Sequence, residues 1–273
     1  MRLIMFRKLG FLFFVLFSHL VLAQDVASII RGHEDKSYNP KFKGLTDLVV
    51  DVENPALTNQ LNEQMIFGNI RELKFRIYWT AAPERVAIEI IGMPEGFNEI
   101  KQQLKQTMLS KFEAIIPIAL DKKFMGYKLS LDPKESKAIV AKDEKALNLI
   151  PEYKMSFNKD GLLSLVDGKK TIGTLTTSFD WEKTSWSEPR FINKSSLAKS
   201  VDGPQSVTVQ SKTEWQLISS VGLPSRVVTT TRQVITIPGA SPQENLIEEE
   251  INYKNYKVNV GEALKWFLAN ATN

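Results

Sequence analysis

The amino-acid sequence predicts a largely antiparallel β-sheet protein of the α+β class, with about ten strands and three or four helices. Segments in which apolar and polar residues alternate recur along most of the chain, and turn residues separate many of them. One long segment in the first half instead repeats apolar residues every three or four positions, the pattern of an amphipathic helix. No internal repeat or long linker divides the chain, so we expect a single domain.

Residues 1–23 have the layout of a cleavable secretory signal peptide. Three basic residues precede an almost wholly apolar run at 9–21, and Ala23 offers a cleavage site. The run is short for a membrane-spanning helix, although an uncleaved N-terminal anchor is the alternative. No Cys follows that could carry a lipid. We therefore expect export to the periplasm, with 24–273 as the mature domain.

Composition excludes several functional classes. Loss of the three basic leader residues would lower the formal net charge from +4 to +1, so the mature chain lacks the basic field typical of nucleic-acid-binding proteins. The chain has no Cys, which excludes disulfides and thiol nucleophiles. No later stretch approaches 18 consecutive apolar residues, so we expect no second membrane span.

The N-terminal part is predicted to hold a short helix, a strand and a hairpin. In the hairpin, alternation of apolar and polar residues is interrupted by a turn at Ala82–Glu84 and then resumes. The predicted elements are a helix at 25–32, a strand at 44–52, a helix or continuing strand at 56–67, and strands at 70–79 and 86–90.

The strongest helix signal runs from Pro94 to Ile118. Both prolines of this segment, Pro94 and Pro117, lie near its ends, where proline is tolerated. Lysine and glutamine residues face away from the apolar stripe. The stripe includes Phe97, Ile100, Leu104, Met108 and Phe112.

The C-terminal part is predicted to be a succession of strands followed by a short helix. Turns are expected at 158–161, at Asp167–Gly168 and at Gly222–Pro224, and the segment that contains Trp181 and Trp186 is less regular. Strands are predicted at 125–131, 137–141, 153–157, 162–166, 171–179, 207–217, 226–237 and 247–260, and a helix at 261–269.

Few residues suggest catalysis. Beyond the leader the chain has one histidine, His33, and its polar neighbours favour a solvent-exposed loop side chain. No nucleophile motif or phosphate-binding glycine loop is present in the sequence. The acidic run Glu248–Glu250 is interpreted as charge that protects an exposed edge strand. We expect no enzyme activity, metal or cofactor; a hydrolase with scattered carboxylates is a less favoured alternative.

The segment Leu73-Lys-Phe-Arg-Ile-Tyr-Trp79, followed by Pro83 to Ile90, resembles the strand, proline-containing turn and second strand of the periplasmic lipoprotein-carrier superfamily. That superfamily includes the lipoprotein chaperone LolA and its outer-membrane receptor LolB. The Lys159–Gly161 turn and Gly222–Pro224 are also similar. The order of elements covers most of the mature chain, although the helix from Pro94 to Ile118 is longer than in that family.

The resemblance implies a strongly curved, unclosed antiparallel β-sheet covered by a helical lid at 94–118. An apolar cavity between sheet and lid would bind lipid or the acyl chain of a lipoprotein, as in outer-membrane lipoprotein sorting. Arg76 and Arg85 are both candidates for the functional arginine of that family. The residues expected near the cavity are Trp79, Ile88, Phe97, Ile100, Leu104, Met108 and Phe112.

Two functions remain open at this point. The first is a non-catalytic carrier or chaperone for lipid or acylated cargo, with envelope membrane proteins as possible partners. The second is an envelope module that docks or scaffolds another protein and has a filled core without a cavity. Ordinary core packing explains each of the seven residues better than contact with cargo does.

Overall fold

The computed structural model describes residues 25–64, 70–145 and 147–271. The predicted signal peptide and the last part of the segment predicted at 56–67 lie outside these residues. The described helices are α1 (Val26–Lys36), α2 (Pro55–Glu63), α3 (Asn98–Phe112), α4 (Leu120–Lys123), α5 (Glu262–Ala269) and a 3-10 helix at Pro40–Lys43.

Twelve strands form one antiparallel sheet, in the order β3-β2-β1-β12-β11-β10-β9-β8-β7-β6-β5-β4. They are β1 (Asp47–Glu53), β2 (Lys74–Ala81), β3 (Glu84–Ile91), β4 (Lys128–Asp132), β5 (Glu135–Lys142), β6 (Glu152–Phe157), β7 (Leu163–Lys169), β8 (Thr174–Glu182), β9 (Ile192–Asp202), β10 (Gln205–Ile218), β11 (Val221–Ile235) and β12 (Gln243–Val258). The edge strands β3 and β4 do not pair with each other, so the sheet is unclosed.

The α+β class and the unclosed sheet are therefore confirmed, but the predicted count of about ten strands is wrong. The strand β9 lies in a stretch for which no strand was predicted. Its inward positions are mostly small and polar, so it lacks the apolar alternation by which the other strands are recognised.

Two predicted turns are also wrong. Asp167–Gly168 lies inside β7, and the chain turns later, where the Lys170 amide donates to the Gly173 carbonyl over 3.2 Å. Gly222–Pro224 is the buried start of β11, and the turn is formed by Ser219 and Ser220, both with positive φ. A Cβ at Gly222 would lie 2.0 Å from the Trp186 ring, so this glycine permits close packing.

Helix α3 is shorter than the predicted 94–118. Gly96 and Phe97 both have φ in the left-handed region, at 85° and 52°, so the helix begins only at Asn98. It ends at Phe112, and the amides of Ile115 and Ile116 then donate to the Phe112 carbonyl in a tightening turn.

Two separate core clusters lie on one face of the sheet, which we call the inner face. In the first, α2 and α3 pack against β1, β2, β3, β11 and β12, with Phe75 and Ile77 fully buried. In the second, α1 and α4 pack against the other end of the sheet, around Ile139 and Met155. The opposite, outer face is covered at β1 and β2 by α5, where Trp266 stacks on Tyr78 with ring centroids 4.6 Å apart.

We predict that Gly222→Ala lowers the free energy of unfolding by about 1–3 kcal/mol, because the added methyl group must displace the Trp186 ring. Gly32→Ala is the matched control: it lies in α1 with open space around it, and should raise stability by up to about 1 kcal/mol. Urea unfolding measures both. Equal stability of Gly222→Ala and the wild type would contradict the packing described here.

Candidate functional site

The predicted site residues come together only as a packed helix–sheet contact. Trp79, Ile88, Leu104, Met108 and Phe112 are buried in the first core cluster, and the partly buried Ile100 packs against it. Phe97, the residue before α3, is among the exposed large hydrophobic residues and lies outside that cluster. These side chains hold α3 on the sheet, so cargo that reached them would have to displace the helix.

One carboxylate on the inner face connects both helices of the first cluster to the sheet. Glu249 of β12 accepts from the Lys111 ammonium of α3 over 2.6 Å and from the Asn54 amide over 2.8 Å. Asn54 is the N-cap of α2, and its side-chain oxygen accepts from the Leu57 amide. The Tyr253 hydroxyl also donates to the Lys111 carbonyl. We call the group of Asn54, Lys111 and Glu249 the latch.

The acidic run lies on a stretch of β12 that has a strand partner on one side only. β11 pairs with β12 from Gln243 to Asn252, whereas β1 pairs with it only from Asn252 to Val258, so the position of Glu248–Glu250 agrees with the predicted edge. The latch is a further role for Glu249 that the sequence did not predict. Because side chains alternate along a strand, the neighbours of Glu249 lie on the outer face, where Glu250 pairs with Arg226.

Between the two core clusters the inner face carries nine residues that we call the inner strip. These residues are cross-strand partners and form rows that run across the sheet from the second cluster toward Glu249. One such row consists of Phe179, Ser196, Ser211, Thr229 and Glu249. The inner strip consists of Ser196, Ala198, Ser200, Val207, Val209, Ser211, Thr229, Thr231 and Gln233.

All nine residues of the inner strip are half-buried, uncharged and outside both core clusters as described. Eight of them are Ser, Ala, Thr or Val, whose small side chains leave space above a sheet. The outer face of the same strands is different: Lys199, Lys212 and Arg232 project there, and Arg232 makes two 2.8 Å hydrogen bonds to Glu244. Charged side chains of these strands thus project from the outer face, whereas the inner strip has none.

His33 is buried, which contradicts the prediction of an exposed loop side chain. It lies in α1, its Nδ1 accepts from the Leu163 amide over 3.2 Å, and its ring meets Trp181 and Phe157 edge-to-face at 5.5 and 6.0 Å. Burial lowers the pKa of His33 from its ordinary 6.5 to about 4. The helix thus continues through a stretch that looks polar, and His33 lies on its inward side.

Neither arginine candidate lies on the inner face. Arg76 alternates with inward-facing Phe75 and Ile77, and its guanidinium donates to both carboxylate oxygens of Asp51 at 2.7 and 3.1 Å. Arg85 is the cross-strand partner of Thr80, which follows the inward-facing Trp79 and therefore faces outward. Both arginines are therefore on the side of the sheet opposite α3.

The described residues contain no group of three or more His, Cys, Asp or Glu placed to hold a metal ion. Within the same residues, no helix combines the length and the apolar character that crossing a membrane requires. Searches of protein-family models, curated proteins and solved structures found no match to this chain.

The sequence offered one signal for the inner strip. The alternation in 207–217 places Val207, Val209 and Ser211 on one face, but the neighbouring rows come from β9, which was not recognised. The latch had no signal in the sequence, since Lys111 and Glu249 are 138 positions apart and meet only in the folded chain.

We predict that the free energy of unfolding decreases as the pH is lowered from about 6.5 to 4, because of His33. Above pH 6.5 the histidine is neutral in both states; below it the unfolded chain binds a proton that the folded chain excludes down to about pH 4. The full loss is about 3 kcal/mol, from the size of that shift. Urea unfolding at several pH values measures it.

His33→Gln is the control for this prediction, because glutamine keeps an acceptor for the Leu163 amide but does not titrate. The slope of stability between pH 5.5 and 6.5 should be nearly lost in this variant. An unchanged slope would assign the effect to other groups.

We predict that Glu249→Gln speeds amide hydrogen exchange in α2 and α3 about fivefold, since the half-buried pair with Lys111 loses its charge. The matched variant Glu248→Gln changes the adjacent, outward carboxylate and should leave those amides unaffected. Mass-spectrometric hydrogen exchange compares them. Equal exchange in both variants would show that the latch does not hold the helices.

Proposed function

We propose that the protein is a non-catalytic carrier or chaperone for lipid, or for the acylated end of a lipoprotein, in the periplasm. The observation that carries the proposal is the inner strip. A sheet face that is uncharged, half-buried and flanked by two packed clusters suits an apolar guest.

The dimensions of the inner strip fit a chain-like guest. Three neighbouring strands span about 10 Å, and three inward residues along each strand span roughly 14 Å. A methylene group moved there from water gains about 0.8 kcal/mol. The hydroxyls do not oppose this gain strongly where they are paired, as in the 3.1 Å contact between Ser211 and Thr229.

Helices α2 and α3 supply a movable cover in this proposal. Met108 and Phe112 of α3 are adaptable apolar side chains, and the latch ends the row of inner-strip residues that includes Thr229. Release of Lys111 from Glu249 would free the helix end next to the inner strip. Cargo would then replace helix contacts with its own, at little cost in buried apolar area.

The proposal is tested with two neighbouring residues of β9 that face opposite sides of the sheet. Ala198→Phe fills the inner strip, whereas Leu197→Phe places the same ring on the outer face, where Leu197 is already 44% exposed. Each protein is purified from its own envelope, and native mass spectrometry and lipid extraction identify bound molecules.

We expect stoichiometric lipid or acylated peptide with the wild type and Leu197→Phe, and at least a tenfold loss with Ala198→Phe. A bare mass for the wild type, unchanged after incubation with phospholipid and acylated peptide, would overturn the proposal. A docking or scaffolding role would then be the better account.

A further inference from the structure

The connections at one end of the sheet form a continuous edge that we call the loop rim. Lys128 at the start of β4 pairs with Lys142, which pairs with Glu152, which in turn pairs with Lys169. Lys169 pairs with Thr174 of β8, and the same ladder continues to β12. The loop rim therefore consists of 124–127, 143–145, 147–151, 170–173, 203–204 and 236–242.

The loop rim carries the most exposed large apolar side chains of the described residues. Met125, Leu147, Leu149 and Ile172 are between 72% and 94% exposed, more than any other large apolar residue described. Ile237 adds a fifth at 45%. Single exposed apolar residues are normal, but their concentration on successive loops at one end of a sheet marks a binding surface.

The loop that carries two of these residues is held in shape from within. The Asp143 carboxylate accepts from the amides of Lys145 and Asn148 at 3.0 and 2.6 Å, and from the Asn148 side chain at 2.9 Å. Leu147 and Leu149 flank Asn148. Because these polar groups are already paired, the loop can leave water at lower cost than a loop whose amides are free.

Charges on the loop rim are mostly neutralised locally. Lys128 pairs with Glu144 at 2.7 Å, Lys169 with Glu152 at 2.6 Å, and Lys170 of the β7–β8 loop with Asp202 at 2.9 Å. Long lysine stems beside apolar tips can extend their ammonium groups into a polar layer while the tips enter an apolar one. Separate aliphatic tips with such lysines fit a deformable lipid interface better than a shaped protein pocket.

We propose that the loop rim docks the protein on the surface of a phospholipid bilayer, with Met125, Leu147, Leu149 and Ile172 entering the interfacial layer. The row of the inner strip nearest to the loop rim contains Ser200, which pairs with Val207 shortly after β10 begins. Docking therefore brings the end of the inner strip that carries Ser200, Val207 and Gln233 toward the membrane. The docking itself does not depend on the proposed cargo.

The test is vesicle flotation. The full chain is expressed, purified as the cell processes it and floated with vesicles of phosphatidylethanolamine and phosphatidylglycerol, and separately of phosphatidylcholine. The rim variant combines Leu147→Ser, Leu149→Ser and Ile172→Ser, which are too exposed to support the core. The control combines Leu217→Ser and Val260→Ser, residues 48% and 57% exposed at the opposite end of the sheet.

We expect the wild type and the control to float with both kinds of vesicle, and the rim variant to lose about a hundredfold in partition coefficient. Equal flotation of the rim variant, or no flotation of the wild type, would overturn the proposal. Self-association by sedimentation that disappears in the rim variant, without vesicle binding, would assign the surface to a second copy of the chain.

Ala198→Phe separates the two proposals. It fills the inner strip without touching the loop rim, so it should lose co-purified lipid but keep its vesicle flotation. Loss of flotation in Ala198→Phe as well would show that vesicle binding runs through the cargo site, and would overturn docking by the loop rim.

Discussion

The pairing of β1 with β12 is the constraint on which the rest of the structure depends. It joins the first three strands to the other nine, with Leu48 opposite Val258 and Val52 opposite Tyr253. Asn259 secures the junction, since its side-chain oxygen accepts from the amides of Thr46 and Asp47. The pairing brings Ile251 and Tyr253 of β12 into the cluster that buries Phe75 and Ile77, and it places the strand that carries Glu249 beside α3.

The same pairing creates a twelve-stranded sheet whose inner face is wider than its helices cover. Four helices cover the inner face at its two ends, and small uncharged residues occupy the middle. A buried charge there would cost several kcal/mol, so the contrast with Lys199 and Lys212 on the outer face has a direct physical basis. The proposed carrier function rests on the small, uncharged residues of the inner strip. The proposed membrane docking rests on the exposed apolar side chains of the loop rim.

Alternation and turn residues in the sequence were enough to predict the class of fold and the β2–β3 hairpin, because those strands have one apolar face. They were not enough for β9, whose inward residues are Ser196, Ala198 and Ser200. Gly222 resembles a turn residue, but glycine is required there because the ring of Trp186 leaves no space for a side chain. Most of the predicted site residues lie where α3 packs on the sheet. The inner strip could not be predicted in this way, because it depends on strand registers that no local sequence pattern contains.

The pairing of β1 with a strand near the C terminus has a consequence for how the chain reaches its native state. The Thr46 amide and the Asn259 side chain that bind each other are 213 positions apart. Until the last strand arrives, β1 and β11 each present an open edge to other chains. Such high contact order makes folding slow and leaves intermediates prone to aggregate. The order of synthesis therefore makes β12 the step that completes the sheet, and truncation before it would leave two unjoined halves.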